Sequence, residues 1–229
     1  MEYPHNRPYT ADDLVRIITL LRDPVNGCPW DKVQTHTSIR MNFLEEAYEA
    51  VDALDLDDPA LMCEELGDVL MQVAFHTCME QETGRFTWEQ VCDGVCQKLI
   101  ERHPNIFGTQ PGYEGITDWD ALKNKEKGRR TLADDLESVP RAMPALMRAA
   151  KLQKRAARHG AALQGADAAA LVDAAENLQT AQPASAQAEQ AVGELLFAAA
   201  NLARQAGVDP EQALQKANEA FCTAAGPVA

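Results

Sequence analysis

Two consecutive stretches decide the fold: TSIRMNFLEEAYEAVDALD (37–55) and, after the turn LDD (56–58), PALMCEELGDVLMQVAFHTCMEQE (59–82). In the first stretch, apolar residues recur at helical spacing, at Ile39, Phe43, Leu44, Ala47, Val51 and Leu54. Asp58 and Pro59 provide an N-cap and a first-turn proline for the second stretch. A connection this short predicts that the two helices pack antiparallel as a hairpin.

Helical signals extend from this hairpin in both directions. TADD (10–13) and TWEQ (87–90) have the spacing of capping boxes at the starts of two further helices. His103 and the proline after it end the second of these helices, and residues 104–115 are predicted to form a loop before a short helix in DWDALKNKEKG (118–128). The Ala-rich remainder predicts about four more helices, in residues 145–160, 167–181, 188–207 and 210–225.

The chain is therefore predicted to be all-α, a helical bundle in two related halves. The predicted limits are 1–128 for the first domain, 129–143 for a linker and 144–229 for the second domain. EELGDVLMQVAFH (64–76) aligns with QAVGELLFAAANL (190–202), with glycine at the same place in both. We interpret this match as a sign of internal duplication.

Composition excludes several classes of function. The 229 residues carry a formal net charge of −14, from 21 Lys+Arg and 35 Asp+Glu, which argues against a nucleic-acid-binding or membrane-binding surface. No apolar run approaches the roughly 20 residues that span a bilayer, and the N-terminus lacks a hydrophobic signal segment. The six cysteines form no CxxC pair. We expect a cytoplasmic protein.

The most informative feature is a pair of acidic segments, EEAYE and EELGD, one in each helix of the hairpin. Residues three apart on a helix share a face, which pairs Glu46 with Glu49 and Glu65 with Asp68. Four clustered carboxylates would repel each other and have raised pKa values. A hard divalent cation removes this conflict, and oxygen ligands favour Mg²⁺ or Mn²⁺ over zinc.

The acidic pattern is compatible with proteins of other kinds. Acidic residues can simply cover the outside of two amphipathic helices, and for a lone ExxE this is the better interpretation. Here both pairs adjoin the apolar residues Leu44, Ala47, Leu66, Val69 and Leu70. A ferritin-like di-iron protein would use ExxH motifs, and none accompanies these pairs. A non-catalytic helical interaction module stays open; it predicts no metal binding and no effect of carboxylate substitutions.

Three further motifs accompany the carboxylates: CPWDKVQTH (28–36), GDVLMQVAFH (67–76) and KLIERHPNIFG (98–108). Together they resemble the MazG family of nucleoside triphosphate pyrophosphohydrolases. The second half resembles two-repeat members of that family through PALMRAAKLQKRAARHG (144–160) and GELLFAAANLAR (193–204). The resemblance implies an all-helical, homodimeric enzyme that uses Mg²⁺ to cleave nucleoside triphosphates between the α- and β-phosphates, in house-cleaning or in pool control.

The resemblance also implies roles for individual residues. The implied metal ligands are Glu46, Glu49, Glu65 and Asp68. Glu45 would hold or polarise the attacking water. The residues implied to meet the substrate are Lys98, Arg102, Trp119 and Lys123. A phosphoribosyl-ATP pyrophosphohydrolase or a dedicated deoxy-pyrimidine triphosphatase would use the same helices and carboxylates, so the substrate stays open.

From the residues alone, Lys98 and Arg102 lie four apart on one helix face, which suits a phosphate chain, although such a pair by itself is more often part of a solvated face. Trp119 by itself is more often a partly buried anchor than a base-stacking residue. His36 is interpreted as part of the CPWD loop and His76 as a core histidine.

The second half lacks the charged pattern of the first. The residues at the aligned positions are Glu176, Asn177, Thr180, Ala191, Glu194, Ala220 and Ala224. Metal ligands and phosphate contacts are therefore lost together. We predict that the second half is a catalytically dead repeat that supports the fold or the dimer.

Overall fold

The computed structural model describes residues 3, 5, 7–108 and 119–226. In these ranges all regular structure is helical and there is no strand, which confirms the all-α prediction. The chain separates into two compact units, Met1–Ile116 and Thr117–Ala229. The domain limits expected at residues 128 and 143 stay a prediction. No helix in the described part of the chain is both long enough and apolar enough to cross a membrane.

The first unit is built around its longest helix. Its helices are α1 (Ala11–Leu21), a 3₁₀ turn (Asp31–Val33), α2 (Arg40–Leu56), α3 (Pro59–Glu82), α4 (Trp88–Arg102) and α5 (Pro104–Phe107). Helices α1, α2 and α4 each pack against α3. Both expected capping boxes form, and Asp58 accepts hydrogen bonds from the backbone N–H groups of Ala60 and Leu61, as its position before Pro59 predicts.

Two helix boundaries differ from the sequence-based expectation. Helix α2 begins at Arg40 rather than at residue 37, after a turn in which Thr35 and Ser38 exchange hydrogen bonds between their hydroxyl groups and backbone N–H groups. These reciprocal bonds hold the turn that leads into the helix. In the stretch predicted as a loop, residues 104–107 form one helical turn, where the His103 carbonyl accepts two backbone N–H groups.

The core of the first unit lies along the second half of α3. Its buried members are Ile18, Ile39, Ala74, Phe75, Cys78, Met79 and Trp88. The first half of α3, which carries EELGD, leaves Leu66 and Leu70 largely exposed. The core therefore fixes the end of the α2–α3 hairpin that lies away from the turn. The acidic segments lie on the same two helices, closer to the turn.

The second unit contains α6 (Trp119–Glu126), α7 (Leu132–Glu137), α8 (Ala145–Arg158), α9 (Ala168–Thr180), α10 (Ala186–Gln205) and α11 (Pro210–Ala225). Helix α10 packs against α8, α9 and α11. Helix α7 lies within the stretch expected to be a linker and packs on α8. There Asp135 is fully buried and forms an ion pair with Arg155, so this stretch is part of the second unit's structure.

Candidate metal and nucleotide site

The predicted carboxylates of the α2–α3 hairpin come together. One carboxylate oxygen each from Glu46, Glu49 and Glu65 lies within 4.8 Å of the other two. Glu46 and Glu65 are half-buried and Glu49 is exposed. Among the described residues, no other group of three His, Cys, Asp or Glu side chains is close enough to share a metal ion. Three hard oxygen donors at this spacing suit Mg²⁺ or a similar divalent cation.

Asp68 and Glu45 adjoin this group without belonging to it. The charge of Asp68 raises the pKa of both Glu46 and Glu65. Glu45 is exposed beside Glu46, and its charge raises the pKa of Glu46 by a smaller amount. The four expected ligands are therefore close enough for their charges to influence one another.

The raised pKa values of Glu46 and Glu65 indicate that the charged form of each carboxyl group is disfavoured in the metal-free chain. Burial is the largest influence raising the pKa of Glu46, followed by the charge of Asp68. Burial likewise raises the pKa of Glu65, with the charge of Glu49 next in importance. A bound cation would favour the charged form of each carboxyl group and so relieve the repulsion.

Gln72 is a member of the site that the sequence analysis missed. It is 7% exposed, and its Nε2 donates a hydrogen bond of 3.3 Å to Oε1 of Glu46. Its own Oε1 is buried without a hydrogen-bond partner in the described protein. A buried unpaired oxygen beside three carboxylates fits a bound cation or its water. The sequence feature that could have identified Gln72 is its position, four residues after Asp68 on the same helix face.

The four residues expected to contact the substrate lie outside the hairpin, on helices α4 and α6. Lys98 is exposed on α4, and Arg102 at the end of that helix is largely buried and has an interaction partner. Helix α6 starts at Trp119, whose side chain lies outside the described part of the structure. Lys123 is exposed on the same helix. Both α6 residues belong to the second unit, so their role at the site stays a prediction.

The loop CPWDKVQTH is anchored from α1. The Arg22 guanidinium pairs with Glu82 through two bonds and donates to the backbone carbonyls of Asp31 and Gln34. Gly27, at the start of the loop, allows a close approach: an added Cβ would lie 2.4 Å from the carbonyl oxygens of Leu21 and Asp23. The anchored loop leads directly to His36.

His36 connects the loop to α3. Its Nε2 lies 2.6 Å from Oε1 of Glu80, and its Nδ1 lies 2.7 Å from Nδ1 of His76. Glu80 also accepts hydrogen bonds from Arg85. His76 is therefore hydrogen-bonded, as a structural histidine should be, but it is only half-buried and is not enclosed in the core. The sequence pattern places His36 in a loop and His76 and Glu80 on a helix, and nothing in it indicates that the three form one cluster.

The second unit has no comparable group among its described residues. Ala191, aligned with Glu65, is 2% exposed on α10. Thr180, aligned with Glu49, is exposed and donates its hydroxyl hydrogen to carbonyls of its own helix. Neither residue provides a carboxylate, so two of the expected metal ligands have no counterpart in the second unit.

Comparison with known proteins gives consistent results. A family model described as the MazG nucleotide pyrophosphohydrolase domain matches residues 34–107. The nucleoside triphosphate pyrophosphohydrolase of Escherichia coli K12 is 41% identical over 221 residues, covering 92% of this chain and 83% of the relative. The nucleoside triphosphate pyrophosphohydrolase/pyrophosphatase MazG of Thermotoga maritima is 39% identical over 212 residues, covering 92% and 82%. The matched segment contains all five acidic candidates, Lys98 and Arg102.

Proposed function

The chain belongs to the MazG nucleotide pyrophosphohydrolase family, and from this premise we propose that its first unit hydrolyses nucleoside triphosphates to the monophosphate and pyrophosphate with Mg²⁺. The observation that carries the proposal is the group of Glu46, Glu49 and Glu65 oxygens within 4.8 Å of one another. Like-charged groups held this close on two helices are costly to a metal-free chain, and they suit a divalent cation.

In the proposed reaction, Glu46, Glu49, Glu65 and Asp68 hold the cation. Once bound, the cation would neutralise charge on the phosphates and make water easier to deprotonate. Gln72 keeps the Glu46 carboxylate in place through its hydrogen bond. A fixed carboxylate orientation reduces the reorganisation needed when substrate binds.

The remaining residues act on water and on the leaving group. Glu45, exposed beside Glu46, orients a water molecule and accepts its proton as the water oxygen attacks the α-phosphorus. The bond from the α-phosphorus to the oxygen that bridges it to the β-phosphate breaks, and pyrophosphate leaves with that oxygen. Lys98 and Arg102 stabilise the charge that develops on pyrophosphate. The resemblance to the family also implies that Trp119 and Lys123 contact the nucleotide, and this stays a prediction.

We also propose that the enzyme is a homodimer. Several large apolar side chains on α2, α3 and α4 are 40–54% exposed: Val51, Leu54, Leu66, Leu70, Val95, Leu99 and Ile100. A second copy of the chain would remove this apolar area from water. Light scattering coupled to size-exclusion chromatography measures the oligomeric state directly.

The activity is tested with the full chain, Mg²⁺ or Mn²⁺, and a panel of ribo-, deoxy- and modified triphosphates that includes phosphoribosyl-ATP. We expect monophosphate and pyrophosphate without orthophosphate, and we expect chelation of the metal or the change Glu46→Ala to abolish release. Release of orthophosphate would contradict the site of cleavage. Turnover of phosphoribosyl-ATP alone would favour a phosphoribosyl-ATP pyrophosphohydrolase, and no turnover of any member of the panel would favour the non-catalytic module.

Lys98→Gln is expected to raise the KM for a nucleoside triphosphate about tenfold, because an exposed ammonium group loses a charge-assisted contact with the phosphate chain. Steady-state kinetics at saturating Mg²⁺ provide the measurement. The matched control is Lys154→Gln, which removes an exposed lysine from α8 of the second unit. Equal KM values for both variants would contradict the role of Lys98.

A further inference from the structure

The rings of His36 and His76 meet edge to edge through one nitrogen each. Their Nδ1 atoms are 2.7 Å apart, and the two ring planes differ by only 6°. The ring centroids are 5.0 Å apart, which equals the nitrogen separation plus about one ring radius on each side, so each nitrogen points at the other within the plane of its ring. This is the geometry of a straight hydrogen bond. The function proposed above assigns no role to this pair.

The contact between the two rings holds one proton. A hydrogen bond between imidazole rings needs an N–H group on one ring and a lone pair on the other, whichever tautomer each ring adopts. His36 fits as a neutral ring or as an imidazolium, because its Nε2 lies 2.6 Å from Oε1 of Glu80. If His76 were protonated as well, two N–H groups would face each other across 2.7 Å. A second proton must therefore separate the rings.

The surroundings of His76 give no second partner to an extra charge. On the same helix, Glu80 is already paired with the loop histidine and with Arg85. From α2 the ring of Phe43 faces His76, and from α4 Val91 lines the same open hollow; neither side chain is charged. Burial, followed by the charge of the loop histidine, lowers the pKa of His76. The closed pair therefore favours a neutral His76 ring.

His36 is the ring that is free to leave. It lies on the loop before α2, and its side chain is 43% exposed. His76 lies on α3 next to Phe75, which is buried in the core of the first unit. When His36 leaves, Glu80 keeps Arg85 as its partner, so no buried carboxylate loses all its contacts. Opening is therefore a movement of the loop and not of the core helix.

We propose that His36 and His76 form a pH-sensitive latch, which holds the loop of residues 28–36 on α3 while the pair contains one proton and releases it when the pair takes up a second. Arg22 of α1 stays bonded to the backbone of the loop, so the opening is local and the fold is kept. The latch does not depend on the proposed reaction, because none of the expected metal ligands belongs to it.

The sign of the pH dependence separates the latch from the carboxylates. Because the pKa of His76 is lowered in the closed form, the open form binds the extra proton more readily, and closure weakens as the pH falls below about 6.5. Glu46 and Glu65 have raised pKa values, so their contribution to stability is instead lost as the pH rises. Acid therefore opens the latch while it relieves the repulsion between the carboxylates.

Hydrogen exchange of backbone amides, followed by mass spectrometry on the full chain without metal, measures the opening. Within the loop, the N–H groups of Lys32 and Gln34 bond to the carbonyls of Cys28 and Asp31. After correction for the intrinsic effect of pH on exchange, we expect the protection of these amides to fall by up to about tenfold from about pH 7.5 to about pH 5.5, the factor for one extra proton taken up about one unit below the ordinary histidine pKa.

His76→Gln is the variant that tests the shared proton. The glutamine amide can both donate and accept, so it can bond to His36 in either charge state, and it does not titrate. In this variant the protection of residues 28–36 should not fall at the lower pH. The matched control is His5→Gln, which removes an exposed histidine near the N-terminus and should keep the fall seen in the unaltered chain.

A second variant guards against misfolding of the first. His36→Gln should also remove the fall, because its amide oxygen can accept a hydrogen bond from a charged His76. Circular dichroism at both pH values checks that each variant is folded. Equal protection of the loop at both pH values in the unaltered chain, or the same fall in a folded His76→Gln or His36→Gln chain, would overturn the latch.

Discussion

Replacing Glu65 with glutamine is expected to slow pyrophosphate release about a thousandfold and, without metal, to raise the unfolding temperature. Turnover falls because the change removes one of the three carboxylates whose oxygens lie within 4.8 Å. Stability rises because burial and the charge of Glu49 raise the pKa of Glu65 in the folded chain. Activity and metal-free stability therefore change in opposite directions, as expected of a strained functional site.

The stability gain should depend on pH. A carboxyl group whose pKa is raised by folding contributes stability below its unfolded pKa, and this contribution is lost as the pH rises through the folded pKa. The difference in unfolding temperature between Glu65→Gln and the unaltered chain should therefore be small near about pH 4 and grow towards neutral pH. Calorimetry in a chelating buffer measures it.

The matched control is Glu64→Gln, at the neighbouring exposed position on α3. This variant should keep its turnover, and Mg²⁺ should raise its unfolding temperature as it does that of the unaltered chain, since a ligand that binds only the folded state stabilises it. Mg²⁺ should have little effect on Glu65→Gln. Full turnover in Glu65→Gln would mean that the cation site has been placed wrongly.

Asp135→Ala is expected to reduce the stability of the second unit by about 3–5 kcal/mol, the usual cost of breaking a buried ion pair. Asp135 is 1% exposed and lies 3.0 Å from the buried Arg155 guanidinium and 3.1 Å from His159. Burial alone would raise the pKa of Asp135, but hydrogen bonds from Asn124 and His159 and the charge of Arg155 lower it overall. The alanine variant leaves Arg155 buried without its carboxylate.

Chemical denaturation followed by circular dichroism measures this loss, with Asp173→Ala on the exposed face of α9 as the control. The control should change stability by no more than about 0.5 kcal/mol. At temperatures where Asp135→Ala stays folded, pyrophosphate release should be unchanged, because Asp135 is neither an expected metal ligand nor an expected substrate contact. A loss of turnover in the folded variant would show that this buried ion pair contributes to the reaction.

Local sequence signals were reliable where the structure depends on neighbouring residues. The capping boxes that begin at Thr10 and Thr87 form as predicted, because each joins residues three apart. The start of α2 shows the limit of periodicity: the apolar spacing is compatible with a helix from residue 37, but the helix begins at Arg40, after the turn held by Thr35 and Ser38. The same limit applies to Pro104, which ends one helix and begins a one-turn helix.

The stretch from residue 129 to 143 shows a second limit. Pro140 and the many polar residues are typical of a linker, yet Asp135 within the stretch is among the most deeply buried side chains described. Its partner, Arg155, is 20 residues further along the chain. Composition alone could not reveal a burial that depends on a partner so far away in sequence.

The sequence by itself determined the long helices, the hairpin and the pairing of Glu46 with Glu49 and of Glu65 with Asp68, since all of these follow from helical spacing and a short turn. Only the tertiary structure decided the hydrogen bond from Gln72 to Glu46, across 26 residues, and the contact of His36 with His76, across 40. Helical periodicity says which face a side chain occupies. The partner that it meets depends on how helices pack and align, which local sequence does not specify.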